Sequence, residues 1–218
     1  MSAAAVSDAP KKVDYKKDFK WLYLPKAQPE IVEVPELLYL ALDGAGSPDE
    51  PAFSEAVEAL YALSYAVRMS NKSASIPEGY YEYTVFPLEG VWDLIDDSAV
   101  SLEKSNFKYT LMIRQPDFLT PELFERFVAE VGKKKPGLPL ASVRLERRTE
   151  GTCCQMLHLG SYADEPATFR IMEAYCLEQG WIRASKVHKE IYLSDPRKTE
   201  ASKLKTVLRF SVKANRGV

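Results

Sequence analysis

Apolar and polar positions follow one another in a repeated order along the chain. In the first half, "EIVEV" (residues 30–34) alternates with a period of two and predicts a strand, which Pro35 interrupts. "LLYLALDG" (residues 37–44) predicts a second, more apolar strand. In "AFSEAVEALYALSYAVRM", Phe53, Leu60 and Val67 belong to an apolar stripe at helical spacing. "YYEYTVFPLEGVWDL" and "FKYTLMIR" then predict two strands rich in aromatic and β-branched residues.

The second half of the chain predicts the same order of elements. "ASVRLERR" and "TCCQMLHLG" predict strands, "TFRIMEAYCLEQG" predicts a helix, and "VHKEIYLSDP" and "LKTVLRFSV" predict two more strands. The turns "GSPDEPAF" (residues 46–53) and "GSYADEPATF" (residues 160–169) lead into the two helices, where negative charge and proline suit a helix amino terminus. Chance similarity of turn chemistry is the alternative, but the order of the elements matches as well as the turns.

These patterns predict an α+β fold built as a tandem pseudo-twofold repeat, with residues of about 30–114 and 141–212 as the two copies. We expect antiparallel sheets from both copies to meet around a central ligand groove. The helix in "TPELFERFVAEVGKKKPG", near residues 121–132, joins the copies, with Thr120 as its cap. Residues 1–14 are mostly small, polar or basic and predict a loose tail, so residues 15–218 form one domain.

Composition and charge narrow the class of protein. Of the 218 residues, 46% are hydrophobic and 28% are charged, and the net charge is −2, so no broad basic surface indicates a nucleic-acid partner. No apolar stretch is long enough to cross a membrane, and the first dozen residues lack the apolar run of a secretory signal. Cys153, Cys154 and Cys176 are odd in number, which favours reduced thiols. We therefore expect a soluble cytoplasmic protein.

One predicted strand near the carboxyl end carries the side chains most suited to chemistry. Strand alternation places His188, Glu190 and Tyr192 on one face of "VHKEIYLSDP", with Ile191 and its apolar neighbours on the other face, towards helix packing. A carboxylate among apolar neighbours is costly unless it is paired or functional. Beside aromatic faces it suits a cationic or electron-poor aromatic ligand. A solvated sheet face is the alternative interpretation of Glu190.

The equivalent segment of the first half is "PLEGVWD", which contributes Glu89 and Trp92. A groove between two repeats would draw its lining from equivalent strands of both. We therefore expect Trp92 to face the same cavity as Glu190, and we include Glu89 among the predicted ligand-binding residues.

Metal and cofactor chemistry have no support in the spacing of residues. His158 and His188 are the only histidines, they lie on separate predicted strands, and neither has a short ligand spacing. Structural histidines with satisfied hydrogen bonds are the simpler interpretation. The adjacent Cys153 and Cys154 do not form a Cys-x-x-Cys motif, and no phosphate-binding glycine-rich loop occurs. We predict neither a metal nor an organic cofactor.

Four segments carry a resemblance to a known family. "PLEGVWD", "LHLGSYADEPATF", "HKEIYLSDPRKT" and "LYALSYAVRMSNK" resemble the free-standing GyrI-like small-molecule-binding proteins, and the resemblance covers roughly residues 15–213. It implies two strand-helix-strand-strand modules, of the SHS2 type, around a ligand groove. In multidrug-responsive transcription regulators, the same module binds aromatic and cationic drugs.

Some free-standing members of this group are cyclopropanoid cyclopropyl hydrolases, which open the cyclopropane of DNA-alkylating compounds by adding water, and the chain is similar to them. The resemblance places the central acidic residue at Glu190, a neighbouring phenol at Tyr192 and the groove tryptophan at Trp92. Glu190 is then the general base and Tyr192 positions water or donates a hydrogen bond, without a cofactor. The remaining predicted ligand-binding residues are Glu89, His158, Tyr162 and His188.

Two classes of function stay open at this point. One is a hydrolase that protects the cell from cyclopropanoid compounds. The alternative is a non-catalytic drug-binding protein that sequesters ligands, senses them or inhibits a protein partner. Turnover separates the two classes, because a binder saturates at one ligand per site.

Overall fold

The computed structural model describes residues 12–73, 75–96 and 103–215. Most of the predicted loose tail, residues 1–11, lies outside the described residues. The end of that tail has partners in a distant segment: the Val13 amide donates to the Glu82 carbonyl at 2.8 Å, and its carbonyl accepts from the Thr84 amide at 2.9 Å. The Asp14 side chain accepts from the Lys16 amide and caps the first helix. Ordered structure therefore begins before residue 15.

Five α-helices and seven strands are found in the described ranges, and their bounds follow. The helices are α1 (Tyr15–Asp18), α2 (Lys20–Tyr23), α3 (Pro51–Arg68), α4 (Pro121–Lys134) and α5 (Glu165–Glu178). The strands are β1 (Glu30–Ala45), β2 (Leu88–Leu94), β3 (Phe107–Arg114), β4 (Arg144–Leu159), β5 (Trp181–Arg183), β6 (His188–Tyr192) and β7 (Lys205–Ala214).

Six of the strands close into an antiparallel barrel. Their order is β4-β1-β3-β2-β6-β7, and β7 pairs back to β4, while the short β5 pairs with the end of β7. Helix α3 packs on β1 and β3, and α5 packs on β4 and β5. The small and apolar residues Ala56, Ala59, Leu60 and Leu63 form the buried stripe of α3. The predicted α+β class is confirmed.

The two halves of the chain have the same order of elements. A long strand, a helix and two strands occur first as β1, α3, β2 and β3, and again as β4, α5, β6 and β7, with β5 added in the second half. The two long strands, of 16 residues each, pair with each other from Glu30–Gln155 to Ala41–Arg144. Helix α4 follows β3 and precedes β4 in the chain. That residues 30–114 superpose on residues 141–212 stays a prediction.

The long strand β1 corrects one prediction from the sequence. Pro35 was expected to separate two strands, yet β1 runs through it. Val34 and Glu36, on either side of it, pair with Gly151 and Thr149 of β4. The other neighbour, β3, pairs with β1 only from Tyr39 onwards, so the missing N–H of proline removes no hydrogen bond on that side.

The interior of the barrel holds a group of paired charges. Lys189 of β6 forms salt bridges with Glu89 of β2 and Glu150, and the ring of Tyr39 of β1 lies 4.8 Å from its Nζ. These partners come from strands around the barrel, so this face of β6 points inwards. Ile191 shares the face with Lys189, and it therefore points into the barrel rather than towards the helices, which lie on the face of Glu190.

Helix α2 contacts this interior through two backbone carbonyl groups and the side chain of Tyr23. Arg209 Nη2 donates to the Leu22 carbonyl at 2.7 Å, and Gln155 Nε2 donates to the Trp21 carbonyl at 2.7 Å. Tyr23 Oη donates to Glu89 at 3.2 Å. Buried charges are tolerated where they are paired and hydrogen-bonded, and here they attach the amino-terminal segment to the barrel.

Candidate active site

The predicted chemistry lies on the outer face of β2 and β6. These strands pair antiparallel, with Gly90 opposite Glu190 and Trp92 opposite His188. Side chains at alternate positions share a face, so Trp92, His188, Glu190 and Tyr192 project on the side opposite Lys189. We call this set of four residues, together with Glu165 and Tyr162, the β2–β6 site.

Both long helices of the two halves contribute to the walls of this site. Phe53 of α3 stacks on Trp92, with ring centroids 6.0 Å apart and an interplanar angle of 21°. Phe169 of α5 meets the His188 ring edge-on at 4.9 Å. Tyr162, immediately before α5, makes an edge contact with Tyr192 at 6.2 Å. The site therefore has the paired strands as its floor and the amino-terminal parts of α3 and α5 at its sides.

Glu190 is the centre of a hydrogen-bonded group. Tyr192 and Glu165 each form a side-chain hydrogen bond with Glu190. The ring nitrogen Nε2 of His188 lies 3.3 Å from Glu190 Oε1. Glu190 is itself 9% exposed, so this carboxyl group is surrounded by side chains rather than by bulk water. The interpretation of Glu190 as part of a solvated sheet face does not fit this environment.

Glu165 is the residue of this site that the sequence did not identify. It begins α5 and is followed by Pro166 in the first turn. An acidic residue at this position stabilises the amino terminus of a helix through the helix dipole, and that structural role alone was enough to explain it. The residue is only 6% exposed, and its Oε1 has no hydrogen-bond partner among the described residues. A buried polar atom without a partner is costly, so its presence beside Glu190 marks a place where a ligand or water can bind.

Glu165 keeps its proton at a pH at which an ordinary carboxyl group has lost it. Burial, and the neighbouring charge of Glu190, raise the pKa of Glu165 to about 10. Glu165 is therefore protonated at neutral pH and donates its proton to the hydrogen bond with Glu190. One member of the pair is thus an acid and the other carries the negative charge. Pairs of this kind supply acid and base chemistry in one site.

Two tyrosines beside the pair stay protonated. Burial first, and then the charge of Glu190, raise the pKa of Tyr162 to about 12. The same causes raise the pKa of Tyr192 well above its ordinary value. Because Tyr192 donates to Glu190, its hydroxyl accepts from Trp92 Nε1, at 2.8 Å. Trp92, Tyr192 and Glu190 therefore form a directional chain of hydrogen bonds.

Trp92 is packed among other aromatic rings and does not present an open face to a ligand. It is 8% exposed, and besides Phe53 it contacts the rings of Phe107 and Tyr109. Its indole N–H is used by Tyr192. In this conformation Trp92 orients Tyr192, and its stacking on a ligand stays a prediction.

Two of the predicted ligand-binding residues lie elsewhere. Glu89 points into the barrel, where it is 1% exposed and bonded to Lys189 and Tyr23, because neighbouring positions on a strand face opposite ways. His158 is buried under the start of α5, where Nδ1 meets Thr168 Oγ1 at 2.8 Å and Nε2 meets the Ser161 carbonyl at 2.9 Å. Its ring attaches α5 to the sheet and has no free nitrogen for a ligand.

A cavity of about 370 Å³ occurs in another part of the molecule. It lies between β1, β4 and the start of α4, and it is lined by Leu38, Leu119, Leu145 and Arg147, among others. None of the residues predicted for ligand binding contributes to it. The β2–β6 site is therefore identified by its side-chain chemistry and not by the volume of a preformed cavity.

The described part of the chain has neither a cluster of metal ligands nor a membrane-spanning helix. Among residues 12–73, 75–96 and 103–215, no group of three or more His, Cys, Asp or Glu residues could hold a metal ion. Within the same ranges, no helix has the length and apolar character to cross a membrane.

The chain matches one protein family and resembles several solved structures. Residues 27–213 match the family model of the GyrI-like small molecule binding domain. A hydrolase from Listeria innocua has a similar structure, with a TM-score of 0.86 and 37% identity, over 92% of this chain and 100% of its own. A hydrolase encoded by lin2189 from Listeria innocua gives a TM-score of 0.87 and 38% identity, over 93% and 100% of the two chains.

An uncharacterized conserved protein from Listeria innocua is equally similar, with a TM-score of 0.87 and 38% identity, over 92% of this chain and 100% of its own. No curated protein sequence matches the chain.

Proposed function

The chain belongs to the GyrI-like family of small-molecule-binding domains, and we propose that it is a hydrolase that adds water to cyclopropanoid DNA-alkylating compounds and so protects the cell. The observation that carries this proposal is the hydrogen-bonded pair of Glu165 and Glu190, which holds an acid and a base beside two tyrosines. The Listeria innocua hydrolases of similar structure support hydrolysis. The resemblance to the cyclopropanoid cyclopropyl hydrolases supports this class of substrate.

The proposed reaction adds one molecule of water to the substrate and involves no oxidant or reductant. In these compounds a cyclopropane is joined to a dienone, so opening the small ring makes a phenol. Water attacks the exposed cyclopropane carbon, a C–O bond forms and a C–C bond breaks, and the released electron pair passes to the ring oxygen as phenolate. Glu190 accepts the proton of the attacking water, and that proton later reaches the phenolate. Water is the only co-substrate, and the step as written requires no cofactor.

The neighbours of Glu190 determine its part in this step. Because Glu165 keeps a proton, the negative charge of the pair is available on Glu190 to accept another proton. Tyr192 orients Glu190 through one hydrogen bond and is itself oriented by Trp92 at 2.8 Å. A base positioned in this way contributes typically about 10²–10⁴-fold to a rate. The catalytic roles proposed for Glu190 and Tyr192 rest on these contacts.

The open side of the site suits a flat aromatic substrate. Tyr162 is 39% exposed and its ring meets Tyr192 edge-on, so the two rings form a corner against which an aromatic body can pack. Phe53 covers one face of Trp92, so a ligand reaches that face only if Phe53 moves. We therefore place the first contacts of the substrate at Tyr162 and His188.

A second candidate function is binding of cationic aromatic compounds without turnover. The observation in its favour is the negative charge of the Glu165–Glu190 pair beside the exposed ring of Tyr162. Cations are attracted both to carboxylates and to aromatic faces. In this function the protein sequesters or senses such compounds, or acts on a protein partner.

Turnover decides between the two functions. Purified protein is mixed with a hundredfold excess of a spirocyclopropyl dienone, and the opened phenol is followed by absorbance and mass spectrometry. We expect many molecules of phenol per protein molecule, above the rate in buffer alone. Binding of one equivalent with no excess formation of phenol rejects the hydrolase and favours the binder.

A further inference from the structure

Most hydrogen-bond donors of the β2–β6 site are already directed at acceptors of the protein. Trp92 Nε1 donates to Tyr192 Oη at 2.8 Å, and Tyr192 donates to Glu190. The two ring nitrogens of His188 lie 3.3 Å from the Lys186 carbonyl and 3.3 Å from Glu190 Oε1. Any N–H group of this ring is therefore directed at an oxygen of the protein, whichever nitrogen carries it. The buried part of the site has few donors left for a ligand.

The carboxyl group of Glu165 instead has an acceptor to spare. Among the described residues, Glu190 is its one hydrogen-bond partner, and a carboxyl group has two oxygens. Two carboxyl groups hydrogen-bond each other only if they share a proton, and whichever of them carries it, one oxygen of Glu165 stays free to accept. Glu165 is 6% exposed. An unpaired acceptor in such a place is costly, and a donor on a ligand would remove that cost.

We propose that Glu165 is a specificity-determining residue, whose free oxygen accepts a hydrogen bond from an N–H or O–H group of a flat aromatic ligand. Its place in the site supports this role. Glu165 lies close enough to Tyr162 and Tyr192 to interact electrostatically with both, and these rings form the corner against which an aromatic body can pack. The hydroxyl of the exposed Tyr162 can accept as well as donate, so it also tolerates a donor on the ligand.

For a cyclopropanoid substrate, this contact determines which edge of the molecule faces Glu165, an inference that rests on the proposed function. The oxygen of a dienone is an acceptor, so it would meet the free oxygen of Glu165 without a proton between them. An N–H group, as in a pyrrole or an indole ring, pairs with that oxygen instead. Sites that hydrogen-bond an N–H or O–H group discriminate against analogues that lack it. We therefore expect substrates with such a donor, and a dienone oxygen directed away from Glu165.

Indole and benzofuran test this contact without any reaction. Both compounds are flat, neutral and of nearly equal size, but indole has an N–H group where benzofuran has an oxygen. We expect the wild-type, full-length protein to bind indole about tenfold or more tightly than benzofuran. Titration followed by the NMR signals of the two compounds measures both affinities. Equal binding of the two compounds, or no binding of indole, overturns the proposal.

Two replacements of Glu165 identify the acceptor. Glu165→Gln keeps an oxygen that can accept from indole and an amide that can donate to Glu190, so the preference for indole should remain. Glu165→Met has a similar length but no such oxygen, so indole and benzofuran should bind alike. Glu178→Met, at an exposed position of the same helix, is the control and should keep the preference. An undiminished preference in Glu165→Met, or its loss in Glu165→Gln, overturns the assignment.

Turnover of a matched pair of substrates separates this proposal from the proposed function. One spirocyclopropyl dienone is fused to a pyrrole with a free N–H group, and the other has a furan oxygen in its place. Relative to their rates in buffer, we expect the first to be opened with a kcat/KM about tenfold or more higher. Equal enhancement retains the hydrolase and rejects the role of Glu165. A preference for indole without turnover of either dienone rejects the hydrolase and leaves Glu165 as a recognition residue of a binding protein.

Discussion

Gly90 of β2 and Glu190 of β6 are direct partners in the antiparallel ladder. A β-carbon at position 90 would lie 2.8 Å from Trp92 Nε1 and 2.9 Å from Tyr192 Oη, which is closer than real Cβ contacts. The absence of a side chain at Gly90 therefore leaves the space in which Trp92 donates to Tyr192 and Tyr192 donates to Glu190. The orientation of the proposed base thus depends on the residue opposite it.

Replacing Gly90 with alanine should disturb this arrangement. Because the new methyl group displaces Trp92 or Tyr192, we expect a loss of stability of about 1–3 kcal/mol and a changed tryptophan fluorescence, together with slower turnover. Urea unfolding and emission spectra measure these effects. Gly132→Ala on α4 is the matched control, since its Cβ would meet Leu140 at an ordinary 3.7 Å and alanine favours a helix. Equal behaviour of the two variants would contradict the role of Gly90.

Replacing Glu190 with glutamine tests the base. Glutamine keeps the size and hydrogen bonding of the side chain but cannot accept a proton as a carboxylate does. We expect hydrolysis of a cyclopropanoid to slow by roughly 10²–10⁴-fold while the ligand still binds. Product formation and ligand titration are measured on the same preparation, with the exposed Glu178→Gln of α5 as the control. Hydrolysis at the wild-type rate in Glu190→Gln would refute the assignment.

Replacing Tyr192 with phenylalanine should cost less than replacing Glu190. The change removes the acceptor for Trp92 Nε1 and one donor to Glu190 but leaves the carboxylate in place. A typical hydrogen bond contributes about 1 kcal/mol, so we expect roughly a tenfold decrease in kcat at most. Steady-state kinetics provide the comparison, and a loss as large as that of Glu190→Gln would make Tyr192 a participant in the chemical step.

Replacing Glu165 with glutamine should change how stability depends on pH. The pKa of Glu165 is raised from 4.5 to about 10 in the folded protein, so between these values the folded state binds a proton that the unfolded state has lost. The free energy of unfolding contributed by this group therefore falls as pH rises, by at most about 1.4 kcal/mol per pH unit. Glutamine cannot lose a proton and removes this dependence.

Urea unfolding between pH 6 and pH 9 measures that difference. We expect the stability of Glu165→Gln relative to the wild type to increase with pH, and that of Glu178→Gln to remain constant. A parallel pH dependence of the wild type and Glu165→Gln would mean that Glu165 is ionised in the folded protein.

The strands and helices could be predicted from the sequence because each is determined mainly by the pattern of residues within its own segment. Periods of two and of 3.6 identified the strands and the helices on either side of the "DEPA" turns. Pro35 was misread because its effect depends on whether a second strand pairs beside it, which is a property of the sheet. The short β5 has only three residues and presents too little pattern to identify.

The site was predicted only in part for a similar reason. Glu190 and Tyr192 are two residues apart on one strand, so alternation placed them together. Glu89 and Trp92 are three residues apart, and the same alternation could have shown that they face opposite sides of β2. Glu165 meets Glu190 only through the packing of α5 against the sheet, and its local sequence was already explained by the helix terminus.

The attachment of α2 to the barrel has a consequence for the order in which the protein folds. The carbonyl groups of Trp21 and Leu22 accept from Gln155 and Arg209, and Arg209 lies on the last strand, 187 residues after Leu22. During synthesis, the Leu22 carbonyl can therefore gain this partner only after β7 has left the ribosome. Contacts of such long range slow folding. Ribosome-bound chains that lack β7 should therefore have an open barrel and an amino-terminal segment accessible to proteases.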